Sequence, residues 1–132
     1  MREQVIRKIK EQKIIAIVRG QAPEHMLKLA EALRKGGVEL MEVTFDQSRP
    51  EAWKDTAAAI AAVSKATAGK MLVGAGTVVT MEQLKMAADA GARYIISPNI
   101  DKEIIRETKR LGLASFPGAM TPTEIEEAHK AG

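Results

Sequence analysis

The chain has 132 residues, 45% of them hydrophobic and 28% charged, with a net charge of +3. That describes one compact domain with a real core, neither disordered nor a polyelectrolyte. Aromatic residues make up only 3% and the basic residues form no run, so nucleic acid is excluded as a partner despite a pI near 9.3. The absence of cysteine removes disulfides, thiolate metal sites and a thiol nucleophile. His25 and His129 stand too far apart in sequence for a histidine metal motif. No apolar stretch reaches membrane-span length, and Met1–Lys10 is a charged amphipathic segment unlike a signal peptide. The expectation is a soluble cytoplasmic protein with no membrane partner, metal or cofactor.

Two periodicities alternate along the chain. Val5, Ile6 and Ile9 predict a short amphipathic helix, and Lys13–Gly20 (KIIAIVRG) a strand covered on both faces. Pro23 opens a helix carrying Met26, Leu27, Ala30 and Leu33 on one face, closed by Gly36-Gly37; Val38–Phe45 is the next strand. Ser48 and Glu51 have capping-box spacing before a helix bearing Trp53, Ala57, Ile60 and Ala61. Met71–Thr77 predicts the third strand, and Thr80 with Gln83 repeats the capping-box spacing before a helix ending at Gly91. Ala92–Ser97 is the fourth strand. Asp101 caps a helix with Ile104, Ile105 and Thr108 that stops at Gly112, Leu113–Phe116 is the fifth strand, and Thr121, Pro122 and Glu124 start a last helix.

These are five βα units, which require parallel strands. Two architectures satisfy the pattern: a flavodoxin-like doubly wound sheet, or part of a (β/α)8 TIM barrel. Gly91, Gly112 and Gly132 recur at about 20-residue intervals, each at a helix end. A complete barrel takes roughly 250 residues. Residues 1–132 are therefore expected to form a single α/β domain, an N-terminal helix plus five of the eight units of a barrel.

In a parallel α/β fold, ligands meet the C-terminal ends of the strands. The residues predicted there are Arg19, Glu42, Thr44, Gly76, Thr77, Ser97, Pro98, Asn99 and Phe116. Glu42 interrupts the apolar run Leu40–Val43, where desolvation raises a lone carboxylate's pKa and suits it to general acid/base work. The competing reading is a structural ion pair with Arg19. Arg19 itself can bind a substrate carboxylate through its planar fork of donors, or simply partner Glu42. Gly74-Ala75-Gly76-Thr77 either lets a ligand approach the backbone or reflects an interior that admits only small side chains. It is not a dinucleotide fingerprint, because Val79 stands where the third glycine would be. His25 and His129 are read as solvated helix residues, and Met26, Met81 and Met86 as core.

Taken together, IVRG (Ile17–Gly20), GGVELMEVTF (Gly36–Phe45), VGAGTV (Val73–Val78), AGARYIISPN (Ala90–Asn99) and FPGAMTPTE (Phe116–Glu124) resemble the 2-keto-3-deoxy-6-phosphogluconate / 4-hydroxy-2-oxoglutarate aldolase family. The resemblance covers essentially the whole chain. It implies a TIM barrel, usually a homotrimer, and a metal-independent class I aldolase whose lysine forms a Schiff base with a pyruvate-type keto acid. Carried over by motif, Glu42 is the general acid/base, Thr77 and Pro98 line the pyruvyl pocket, and Arg19 holds the keto-acid carboxylate; Phe116, at the end of the fifth strand, is the fourth substrate-binding residue. Two departures qualify this. Asp46 stands where many members have arginine, which leaves Arg49 unassigned. The family's Schiff-base lysine belongs to strand six and its phosphate sites to strands seven and eight, all expected beyond residue 132. The alternative of another class is a non-catalytic α/β barrel fragment acting as a binding or assembly module.

Overall fold

The computed structural model describes residues 2–132, the side chain of Pro23 excepted; Met1, the first residue of the predicted amphipathic segment, lies outside them. The elements are α1 (Arg2–Gln12), β1 (Ala16–Val18), α2 (Pro23–Lys35), β2 (Leu40–Thr44), α3 (Trp53–Thr67), β3 (Leu72–Gly76), α4 (Met81–Asp89), β4 (Tyr94–Ser97), α5 (Lys102–Arg110), β5 (Ala114–Pro117) and α6 (Pro122–Ala131). A 3₁₀ turn, Pro50–Ala52, precedes α3. The strands pair in parallel in the order β1-β2-β3-β4-β5. A flavodoxin-like sheet reverses strand order once; this one does not. Among the described residues no helix is long and apolar enough to cross a membrane.

Local chemistry accounts for most boundaries. The Thr80 and Thr121 hydroxyls accept the Gln83 and Glu124 backbone N–H groups, and both capping boxes close. Asp101 accepts from the N–H groups of Glu103 and Ile104 at the start of α5. Each such cap stabilises its helix by about 1 kcal/mol. Gly91 and Gly112 follow α4 and α5 at φ +90° and +74°, a conformation that only glycine adopts without strain.

The Ser48–Glu51 box does not form. The Ser48 hydroxyl and N–H both donate to Asp46 Oδ1, at 2.7 and 2.9 Å, so the cap is spent on a local turn and α3 begins at Trp53 without a side-chain cap. Along α3 the buried residues are Ala59, Ile60 and Val63, and Ala61 faces solvent.

Two layers result. Met41, Val43 and Phe45 of the β2 region, Val73 and Ala75 of β3 and Ile95 of β4 pack against α2–α5 in the larger core. The opposite face carries Leu40, Leu72, Tyr94, Ala114 and Phe116, and α1 covers its N-terminal part with Val5, Ile6 and Ile9. Burying one such side chain contributes about 1.5–3 kcal/mol. The first strand departs from expectation. Only Ala16–Val18 is regular, and Ile17 is 59% exposed, because β1 is an edge strand with no described element over the face that Ile17 presents.

Candidate active site

In-register pairing builds the site in layers. Ile17 pairs with Glu42, Glu42 with Gly74 and Tyr94 with Ala114, and the Ala75–Ile95 pair sets Gly74 beside Tyr94. Partners in a parallel sheet point to the same face, so these five residues form one row. Arg19, Thr44, Gly76, Ile96 and Phe116 belong to the next row toward the C-terminal ends.

Glu42 is 4% exposed. Its Oε1 accepts from Thr44 Oγ1 at 3.2 Å, and the carboxylate lies over Gly76, where a β-carbon would sit 1.6 Å from that oxygen. Burial raises its pKa above the ordinary carboxylate value; the Thr44 hydrogen bond and the charge of Arg19 oppose this without reversing it. Arg19 is exposed and acts on Glu42 through its field; no ion pair joins them among the described residues.

Gly74 serves a second side chain. A β-carbon there would fall 2.1 Å from the Tyr94 ring. That ring is fully buried, stands edge-on to Phe116 at 6.2 Å, and donates its hydroxyl to the Met41 carbonyl at 2.8 Å. Burial, and then the Glu42 charge, push the Tyr94 phenol far up, so it remains a donor. The bond grips the peptide that leads into Glu42. Gly74 and Gly76 thus make room for side chains of neighbouring strands, in line with the tight-interior reading.

Beyond β3, Thr77 takes φ +54°, the left-handed region that a β-branched residue rarely enters, at a cost of about 1–3 kcal/mol. The loop holds it there. Gln47 Nε2 donates to the Thr77 carbonyl at 2.7 Å, and Gln83 Nε2 donates to Gln47 Oε1 at 2.9 Å. Gln83, 0% exposed, accepts at Oε1 from the Val79 and Thr80 N–H groups. Ser97 Oγ donates to the Val78 carbonyl at 2.7 Å and ties the same loop to β4. Thr77→Gly relieves the strain but gives up about 0.5–1 kcal/mol of chain entropy. Its melting temperature is expected to equal or exceed the parent's in calorimetry. A fall would show that the threonine side chain itself secures the turn.

Arg19, Thr44, Asp46, Gln47, Arg49 and Thr77 line one cleft of about 480 Å³ at the C-terminal ends of β1–β3. Pro98 and Phe116 are not on its wall. Pro98 is exposed, with its carbonyl against Gly118 at the ends of β4 and β5, and Phe116 is half-buried against Tyr94. Asp46 points its carboxylate back at Ser48, which holds its pKa below the usual value, and its carbonyl accepts from Trp53 Nε1 at 2.9 Å. Arg49 reaches the cleft while its Nε lies 3.4 Å from Glu51. Among the described residues no lysine lines the cleft.

The residues that sequence reading missed are Gln47, Gln83 as more than a cap, and Tyr94. Tyr94 left one trace, as the single tyrosine of the chain inside an apolar strand.

A parallel α/β protein that sets a desolvated carboxylate, an arginine and a strained threonine at its C-terminal strand ends has the groups that acid/base chemistry on a small anion requires. The comparisons agree with that class. The model for KDPG and KHG aldolases matches residues 5–132, and the chain belongs to that family. It is 38% identical over 122 residues to a probable 2-dehydro-3-deoxy-6-phosphogalactonate aldolase of Rhizobium meliloti, covering 92% of this chain and 55% of that protein. It is 32% identical to the 2-dehydro-3-deoxy-phosphogluconate aldolase of Haemophilus influenzae, covering 98% of this chain and 58% of that one. Among solved structures it resembles the Legionella pneumophila KDPG aldolase with pyruvate captured at low pH as a covalent carbinolamine intermediate. That match has 30% identity and a TM-score of 0.77, over 89% of this chain and 54% of the other. The chain therefore spans a little over half the length of these relatives.

Proposed function

We propose that this chain forms the first five βα units of a TIM barrel and carries the acid/base side of a class I aldolase active site. The substrate is 2-keto-3-deoxy-6-phosphogluconate, cleaved to pyruvate and glyceraldehyde 3-phosphate, with 4-hydroxy-2-oxoglutarate, cleaved to pyruvate and glyoxylate, as a second one. The observation that carries the reading is Glu42, buried at the strand ends with a raised pKa and an arginine and Thr77 nearby.

In this reading a lysine from a βα unit after residue 132 adds to the keto carbon. Glu42 protonates the departing hydroxyl of the carbinolamine, which leaves as water to give the imine. Glu42, now a carboxylate, then takes the proton from the C4 hydroxyl as the C3–C4 bond breaks and its electron pair passes into the imine. Arg19 holds the keto-acid carboxylate, and Thr77, Pro98 and Phe116 border the pyruvyl group. A cytoplasmic homotrimer, as the family resemblance implies, completes the proposal. That no lysine among the described residues lines the cleft supports a nucleophile from elsewhere.

The test is intact-mass analysis after borohydride reduction in the presence of pyruvate, on the reading frame containing this chain and on residues 1–132 alone. One reduced pyruvyl group on the first and none on the second is expected. An adduct on residues 1–132 would relocate the nucleophile. No adduct on either would end the Schiff-base reading and favour the non-catalytic module, for which the exposed Ile17 on an edge strand is the supporting observation.

A further inference from the structure

The end of the sheet opposite the candidate active site gathers basic side chains from several elements. A cleft of about 500 Å³ opens there, at the N-terminal ends of β2–β4, and four cations, Lys8, Arg34, Lys70 and Arg93, line it against one carboxylate, Glu39. Parallel strands begin at the same end, so residues far apart in sequence converge: Glu39 precedes β2, Lys70 lies just ahead of β3 and Arg93 immediately precedes β4. The Leu72 N–H donates to the Glu39 carbonyl at 2.8 Å and the Arg93 N–H to the Val73 carbonyl at 2.8 Å, which fixes that alignment. Lys70 is delivered by a left-handed turn, Ala68 at φ +47° and Gly69 at φ +79°, closed by its own N–H to the Thr67 carbonyl.

Fold stability accounts for part of this charge only. Arg34 sits in the last turn of α2, where a cation complements the helix dipole. Lys8 and Glu39 form an ion pair, and Arg93 is engaged in an interaction of its own. That leaves the cleft's one carboxylate engaged, while the Lys70 side chain makes no hydrogen bond or ion pair among the described residues. By contrast, the cleft at the C-terminal strand ends balances Arg19 and Arg49 with Asp46 and the nearby Glu42. Like charges gathered in a recess repel one another and concentrate an anionic ligand. Guanidinium forks beside ammonium groups match phosphate oxygens, and the volume suits a small molecule.

We propose that this cleft binds a small phosphorylated anion, at a site separate from the candidate active site and independent of the aldolase reading.

Amide chemical shifts of the ¹⁵N-labelled chain, titrated with inorganic phosphate and with pyrophosphate at constant ionic strength, test the proposal. Saturable shifts are expected at residues 8, 34, 69–72 and 93, with pyrophosphate the tighter ligand. Lys70→Gln and Arg34→Gln, both checked for an unchanged fold by their spectra, should each weaken pyrophosphate binding about tenfold. Glu39→Gln should tighten it, which loss of a purely structural ion pair would not do. Shifts that merely track ionic strength, shifts confined to the Arg19–Thr77 end, or unchanged affinity in folded Lys70→Gln would each overturn the site.

Discussion

Glu42→Gln is expected to move stability and turnover in opposite directions. On the proposed function, replacing the general acid/base Glu42 by an isosteric amide should lower turnover by roughly 10²–10⁴-fold. Stability follows from linkage. Burial raises the carboxyl pKa in the folded protein above its unfolded value, so between the two the folded chain binds more protons and stability falls as pH rises. Above the folded pKa the whole cost of the buried charge is present, and an uncharged amide escapes it. The variant should therefore melt higher than the parent at pH 7, and the difference should vanish below about pH 4, where both side chains are neutral. Calorimetry at the two pH values reads this directly. A lower melting temperature for Glu42→Gln at pH 7 would mean that the carboxylate is a net stabilising partner of Arg19, and the acid/base assignment would lose its physical basis.

Gly74→Ala and Gly76→Ala should fail in different ways, although only one residue separates the two glycines. At position 74 the added methyl falls 2.1 to 2.5 Å from three atoms of a ring that is fully buried and tied by its hydroxyl to the Met41 carbonyl. The ring cannot turn away without breaking that bond, so overpacking adds to an unsatisfied buried carbonyl. The loss should be about 3 kcal/mol or more, a large share of a domain's total stability. Tyr94→Leu in the Gly74→Ala background should recover part of it, a non-additivity that a double-mutant cycle measures. At position 76 the obstacle is the end of the Glu42 side chain, with Oε1 at 1.6 Å and the carboxyl carbon at 2.4 Å. A side chain end can swing, so Gly76→Ala should fold better than Gly74→Ala and yet lose activity to the extent that Glu42→Gln does. Equal melting temperatures for the two alanine variants would refute this division of roles.

Where the signal was local, the sequence was a reliable guide. The Thr80–Gln83 and Thr121–Glu124 boxes close because each pair lies within one helical turn with no competitor for the hydroxyl. Ser48–Glu51 has the same spacing and does not close, because Asp46, two residues back, reaches the hydroxyl first. Lys13–Gly20 reads as a doubly covered strand because a run of Ile and Val carries no information about whether the second face has a neighbour. Glu42 stood out from its apolar run, and the geometry puts it where a desolvated carboxylate was expected. Pro98 and Phe116 were placed only as far as the strand ends; that they lie off the Arg19–Thr77 cleft depends on strand positions along the sheet.

The sequence by itself determined the order of helices and strands, their parallel pairing, most helix ends and the family, since periodicity, capping and motif are written within a few adjacent residues. The tertiary structure decided the strand order without reversal and the roles of Gly74 and Gly76. It also decided the Gln83–Gln47–Thr77 chain and the cationic cleft behind β2–β4, and the hydrogen bonds of Ser97 to Val78, 19 positions away, and of Tyr94 to Met41, 53 positions away. Such meetings are set by inter-strand register and by which face a side chain takes, and register exists only once the strands are laid side by side.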